Sequence, residues 1–152
     1  MRHLFLSAHL LGFTLWMGGG FSAMTLGIAM RGMPRQQLAA MAEIQGRLHR
    51  TLILPGVLLA VISGLLLTLQ LYGTATAAAG YPVPLMVMQG CGLVAAGIAL
   101  AVNLPTVARL TRLDPAGEHA ALFDALRKRA ALSGLLTGLL GVTALVSGAL
   151  LR

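Results

Sequence analysis

Apolar residues gather into four long stretches, at about 4–30, 51–72, 83–108 and 130–151, which polar segments separate. Each has about the 20 residues that a helix needs to cross roughly 30 Å of hydrocarbon. Backbone groups in lipid must pair within a helix or a closed barrel, and stretches that do not alternate are not barrel strands. The pattern predicts an all-α integral membrane four-helix bundle, with residues 1–152 forming a single transmembrane domain.

Composition supports a lipid-embedded chain. Hydrophobic residues make up 57% of the sequence and charged residues only 10%, whereas soluble domains are about 25% charged. The lipid bilayer is therefore the first predicted partner. The net charge of +7 does not indicate nucleic-acid binding, because nine of the eleven basic residues lie in two short segments, 31–50 and 109–129.

These two basic segments predict the orientation of the chain. Loops rich in Lys and Arg remain in the cytoplasm, so segments 31–50 and 109–129 are expected inside and both termini outside. Ten Arg against one Lys suggest a bacterial source. The predicted location is the inner membrane of a bacterial cell, crossed several times.

The two basic segments also resemble each other and indicate that the second and fourth helices extend into the cytoplasm. Each offers an acid and a base four residues apart, Glu43 with Arg47 and Asp124 with Lys128, and such residues are neighbours on a helix. Two hairpins of the same orientation suggest a parallel duplication, in which an axis along the membrane normal relates the halves of the chain.

One face of the first helix carries candidate chemistry. His9, Gly12, Trp16, Gly20 and Gly27 fall within about 60° of one direction at about 100° per residue. An ionisable residue inside a membrane segment is a functional candidate, and glycines beside a His leave room for a flat macrocycle. His9, Gly12, Trp16 and Gly20 are predicted to bind a cofactor. In the alternative interpretation, a neutral His9 bonds to a helix carbonyl or a hydroxyl group and the glycines only pack.

Other possible metal ligands lie in the third helix. Met86 and Met88 are expected at the depth of His9, and imidazole with thioether suits haem iron or copper(I). Methionine is also ordinary packing material in lipid. His49 is expected near the cytoplasmic surface, over 20 Å from His9, so the two cannot bind one iron atom. The predicted metal ligands are therefore His9, Met86 and Met88.

Small residues mark expected helix contacts. In the fourth helix Gly134, Gly138 and Gly141 could serve internal packing, a homo-oligomer or a larger membrane complex. In the second helix, Pro55 is expected to kink the backbone and Gly56 to permit a tight helix contact.

The first two helices resemble those of the HemJ-type membrane protoporphyrinogen oxidases, and are similar in general character to the copper-resistance CopD-like proteins. The first helix reads H-x6-W-M-x-G from His9, and the second reads R-L-x-R-x4-P-x8-G, which places Arg47, Arg50, Pro55 and Gly64 in the pattern. The resemblance implies that His9 binds haem b and that the chain is an oxidoreductase.

The second half departs from that family pattern. Met88 or Gln89 stands where the family has a Lys, and the Asn-Glu pair that enters the family's fourth helix is absent from 129–135. No catalytic residue can be assigned. Three functions remain open: a HemJ-like haem protein acting in electron transfer or porphyrin oxidation, a CopD-like copper-handling protein, and an accessory subunit without a cofactor.

Overall fold

The computed structural model of the chain describes residues 1–73 and 80–151, and these residues are helical nearly throughout. Within them, four helices are long and apolar enough to cross a membrane, and no strand occurs. The predicted all-α four-helix architecture is confirmed. The chain is a multi-pass membrane protein.

The four membrane helices extend beyond the apolar stretches. Helix α1 spans Arg2–Ala29 and ends in a 3-10 turn at Met30–Gly32. Helix α2 comprises Arg35–Leu48, His49–Ile53 and Leu54–Tyr72; helix α3 comprises Val83–Ile98, Ala99–Asn103 and Leu104–Leu110; helix α4 spans Ala120–Ala149. Helices α2 and α4 begin well before their apolar stretches, so the predicted continuation of these helices beyond the stretches is confirmed.

Neighbours along the chain are the main packing partners. Helix α1 packs along α2 and α3 packs along α4, while the two pairs meet where α1 touches α4 and where α2 touches α3. A central core is formed by small and medium side chains around Trp16, Val57 and Ala95. Large apolar residues cover the outside of the bundle, as expected for a surface in contact with lipid.

A second buried cluster holds together the end of the bundle that carries segments 31–50 and 109–129, here named the basic end. Its members are Met30, Leu38, Ala42, Leu110, Phe123 and Leu126. Two ion pairs lie at this end in the described part of the chain. Glu43 pairs with Arg47 at 2.6 Å, as predicted. The predicted Asp124–Lys128 pair is wrong, because Arg35 of α2 takes the Asp124 carboxylate at 2.8 Å.

Helices α2 and α3 each contain one π turn just before a Leu-Pro pair. The N–H of Leu54 donates to the carbonyl of His49, and the N–H of Leu104 donates to that of Ala99, each a five-residue step. Proline has no N–H and its ring crowds the preceding turn, so the helix widens locally instead of ending. The disturbance expected at Pro55 takes this form, and Pro105 repeats it in α3.

Two glycines bring the backbones of α1 and α2 into contact. A Cβ atom at Gly56 would lie 2.6 Å from the backbone nitrogen of Trp16, and one at Gly12 would lie 2.5 Å from that of Ala60. Neither position can accept a side chain without moving a helix. The tight contact predicted at Gly56 is confirmed, and it fixes the position of His9, which lies one turn before Gly12.

Candidate functional site

The His9 imidazole bridges α1 and α2 and is half-buried. Its Nδ1 atom lies 2.8 Å from the backbone carbonyl oxygen of Ala60. A carbonyl oxygen can only accept a hydrogen bond, so Nδ1 carries a proton. In the neutral imidazole this leaves the lone pair on Nε2, the tautomer of a histidine that binds a metal through Nε2.

Gly64 provides the space in which this ring lies. A Cβ atom at Gly64 would be 2.9 Å from Cε1 of His9 and 3.0 Å from its Nδ1. Thr68 donates to the carbonyl of Gly64 at 3.0 Å, and Gln89 of α3 donates to the Thr68 hydroxyl at 2.5 Å. The peptide beneath the ring is thereby linked to a third helix.

The structure separates the four residues predicted to bind a cofactor. Gly12 lies in the crossing with α2, and Trp16 is only 4% exposed within the central core. Helix α2 fills the surface that these two residues would have offered to a macrocycle. Gly20 is half-buried with nothing within 4 Å of a Cβ at its position. His9 and Gly20 are the predicted residues that keep accessible surface.

The methionines predicted as metal ligands have separate surroundings. Met86 is 51% exposed on the outer surface. The sulfur of Met88 would lie 2.9 Å from a Cβ at Gly148, so this thioether packs against α4. In residues 1–73 and 80–151 no group of three or more His, Cys, Asp and Glu side chains could hold a metal ion.

His49 is far from His9. It is 7% exposed, and its Nδ1 lies 2.9 Å from the carbonyl oxygen of Gln45. The carbonyls that the two imidazoles contact, those of Gln45 and Ala60, are fifteen residues apart on α2, or roughly 22 Å. This spacing supports the prediction that the two histidines do not bind the same iron.

Sequence analysis missed one buried polar contact, at Asn103 in the π turn of α3. Its Oδ1 accepts a hydrogen bond from the Ser133 hydroxyl, and its Nδ2 donates to the Thr137 hydroxyl at 3.4 Å. An amide within an apolar stretch, two residues before a proline, was the available signal. Hydrogen bonds of this kind hold membrane helices together, and here they join α3 to α4.

Comparisons of the chain with protein-family models, with curated proteins and with solved structures give no match. The resemblance of the first two helices to the HemJ family stays a prediction.

Proposed function

We propose that the chain is a HemJ-like membrane protein that binds haem b, with Nε2 of His9 as an axial ligand of the iron. The observation that carries the proposal is the hydrogen bond from Nδ1 of His9 to the Ala60 carbonyl. Histidines that bind metals commonly donate their other ring N–H to such an acceptor, which fixes the tautomer and orients the ring. The imidazole fits as one ligand of a haem iron, and the macrocycle would lie away from Gly12 and Trp16, which α2 covers.

The chain's own residues have distinct tasks in this proposal. His9 would hold the haem, the Ala60 carbonyl orients the imidazole, and Gly64 leaves space for the ring. Haem would supply one-electron chemistry when bound. The apolar parts of α2, α3 and α4 have no Asp, Glu or Lys to take up protons, so electron transfer is favoured over oxidation of a porphyrinogen, which releases protons.

Absorption spectroscopy tests the proposal. Protein expressed with a haem precursor and purified in detergent should show a Soret band that shifts on reduction with dithionite. His9→Ala should abolish this band and keep the helical circular dichroism signal, because one hydrogen bond between membrane helices contributes only about 1–2 kcal/mol.

Two other histidines provide matched controls. His3 is exposed on the same helix, and His49 lies near the basic end, so replacing either with Ala should preserve the band. A haem spectrum that survives in His9→Ala would overturn the assignment.

A second candidate function, an accessory subunit without a cofactor, is favoured by open glycines on α4. Nothing lies within 4 Å of a Cβ at Gly134 or Gly138, whereas Gly141 is already covered by the Met17 sulfur. A helix of a second copy or of another subunit could approach the open positions closely. A featureless spectrum after expression with the haem precursor favours this function.

The location proposed for the chain is the inner membrane of a bacterial cell, with the basic end in the cytoplasm and both termini outside. Nine of the eleven basic residues lie in the two segments at the basic end. This asymmetry supports the proposed orientation.

A further inference from the structure

A recess opens at the basic end, between the end of α3 and the first turns of α4. It has a volume of about 270 Å³ and is lined by two arginines and three leucines, namely Arg109, Arg112, Leu113, Leu122 and Leu126. The lining is mostly apolar, and both arginines at its edge are exposed. None of these residues takes part in the proposed haem binding.

The two arginines at the recess have no acidic partner among the described residues. None of the acidic residues in this part of the chain pairs with these arginines. Asp114 accepts the N–H of Ala116 at 2.8 Å, Asp124 pairs with Arg35, and Glu118 forms no ion pair. Two guanidinium groups therefore remain free to bind an anion.

The depth of the recess matches the headgroup layer of a bilayer. This layer is about 5–8 Å thick on each side of the hydrocarbon. Arg109 directly follows the apolar stretch of α3, and Arg112 lies four residues beyond that stretch, or roughly 6 Å from the hydrocarbon. The anions concentrated at this depth are lipid phosphates.

We propose that this recess binds the headgroup of an anionic phospholipid from the leaflet at the basic end. Guanidinium groups bind phosphate oxygens through paired N–H donors, so the phosphate lies between Arg109 and Arg112. The leucines of the recess lower the local dielectric constant, which strengthens the attraction between phosphate and guanidinium. The proposal does not depend on haem binding or on which side of the membrane the basic end occupies.

The test measures lipid retention by the full chain. Delipidated protein in detergent is mixed with equal amounts of dioleoyl phosphatidylglycerol and dioleoyl phosphatidylcholine, and the bound lipids are counted by native mass spectrometry. Wild type should prefer phosphatidylglycerol. Arg109→Gln with Arg112→Gln should weaken its binding about 30-fold, as expected for two basic residues at about 1 kcal/mol each.

A matched double variant separates the recess from general charge. Arg31→Gln with Lys128→Gln removes the same charge from exposed residues of the basic end that do not line the recess, and should keep the preference. An equal loss in both double variants, or no loss in the first, would overturn the proposal. Circular dichroism verifies that each variant is folded.

Two further arms identify the source of the phosphate. Leu122→Ser should weaken phosphatidylglycerol binding, because this side chain is one of the leucines of the recess. Inorganic phosphate at tenfold excess should leave the lipid bound. Displacement by inorganic phosphate together with an unaffected Leu122→Ser would identify a site for free anions and overturn the lipid assignment.

Discussion

Gly64 is the residue on which the position of the His9 ring depends most directly. The imidazole crosses α2 where that helix lacks a side chain, and its hydrogen bond to Ala60 is made one turn earlier. A glycine in a helix interior costs about 0.5–1 kcal/mol relative to alanine. At Gly64 this cost is accepted at the position where α2 leaves space for the His9 ring.

Gly64→Ala should therefore destabilise the protein, whereas Gly20→Ala should stabilise it. The new methyl group at Gly64 must displace the ring from 2.9 Å, while the Gly20 position is open. We expect the free energies of unfolding of the two variants, measured by denaturation in mixed micelles, to differ by about 1–2 kcal/mol.

The same substitution in a His9→Ala background supplies the control. Without the imidazole, Gly64→Ala should no longer lower the free energy of unfolding. Equal stability of Gly64→Ala and Gly20→Ala in the wild-type background would show that the ring does not depend on Gly64.

At the residue scale the sequence could predict contacts that the helix itself sets. Glu43 and Arg47 meet because four residues make about one turn. Asp124 meets Arg35, 89 residues away, because α2 and α4 pack at the basic end. The spacing of residues within one helix does not show how that helix aligns with a distant one. For the same reason, the sequence did not predict that α2 encloses Trp16.

At the scale of elements, the crossing of α1 and α2 is made by paired glycines. Gly12 and Gly56 face one another, and a Cβ at Gly56 would lie 2.9 Å from the carbonyl oxygen of Gly12. Since lipid provides little hydrophobic force between helices, such close backbone packing is a main source of their association.

Replacing Gly56 with Leu should force this crossing apart and cost about 2–3 kcal/mol. Leu58→Ala is the comparison, because Leu58 is 44% exposed on the outer surface and its loss should cost about 0.5 kcal/mol or less. Thermal unfolding in detergent measures both. Equal melting temperatures would contradict the role given to the crossing.

The helices themselves were predictable, since long apolar stretches have few structural solutions in lipid. The ends of the helices were less predictable, because α2 and α4 continue as helices through the polar segments that precede their apolar stretches. The π turns show a further limit. A proline in an apolar stretch indicates a disturbance, but the neighbouring packing determines whether the helix kinks, ends or widens.

At the scale of the whole molecule, charge divides the bundle into two ends. The described ion pairs and the second buried cluster, which contains Met30 and Phe123, lie at the basic end. Residues Gly80–Pro82 at the other end carry no charge. Positive loops resist translocation, so this asymmetry sets the orientation that we propose.

Cysteine labelling in a Cys91→Ala background tests that orientation. Pro82→Cys and Ala116→Cys place thiols at exposed positions of opposite ends. An impermeant maleimide should label the first in intact cells and the second only after the membrane is opened. The reverse pattern would show that the basic end faces outward.

Helices α1 and α2 are neighbours in the chain as well as in space, and so are α3 and α4. During synthesis, the first hairpin can therefore close as soon as Tyr72 has left the ribosome, before α4 has been translated. Contacts between adjacent segments form early because little chain entropy is lost in making them. The Met17–Gly141 contact, which joins α1 to α4, must then be made inside the bilayer between two finished hairpins, so it belongs to the last stage of biogenesis.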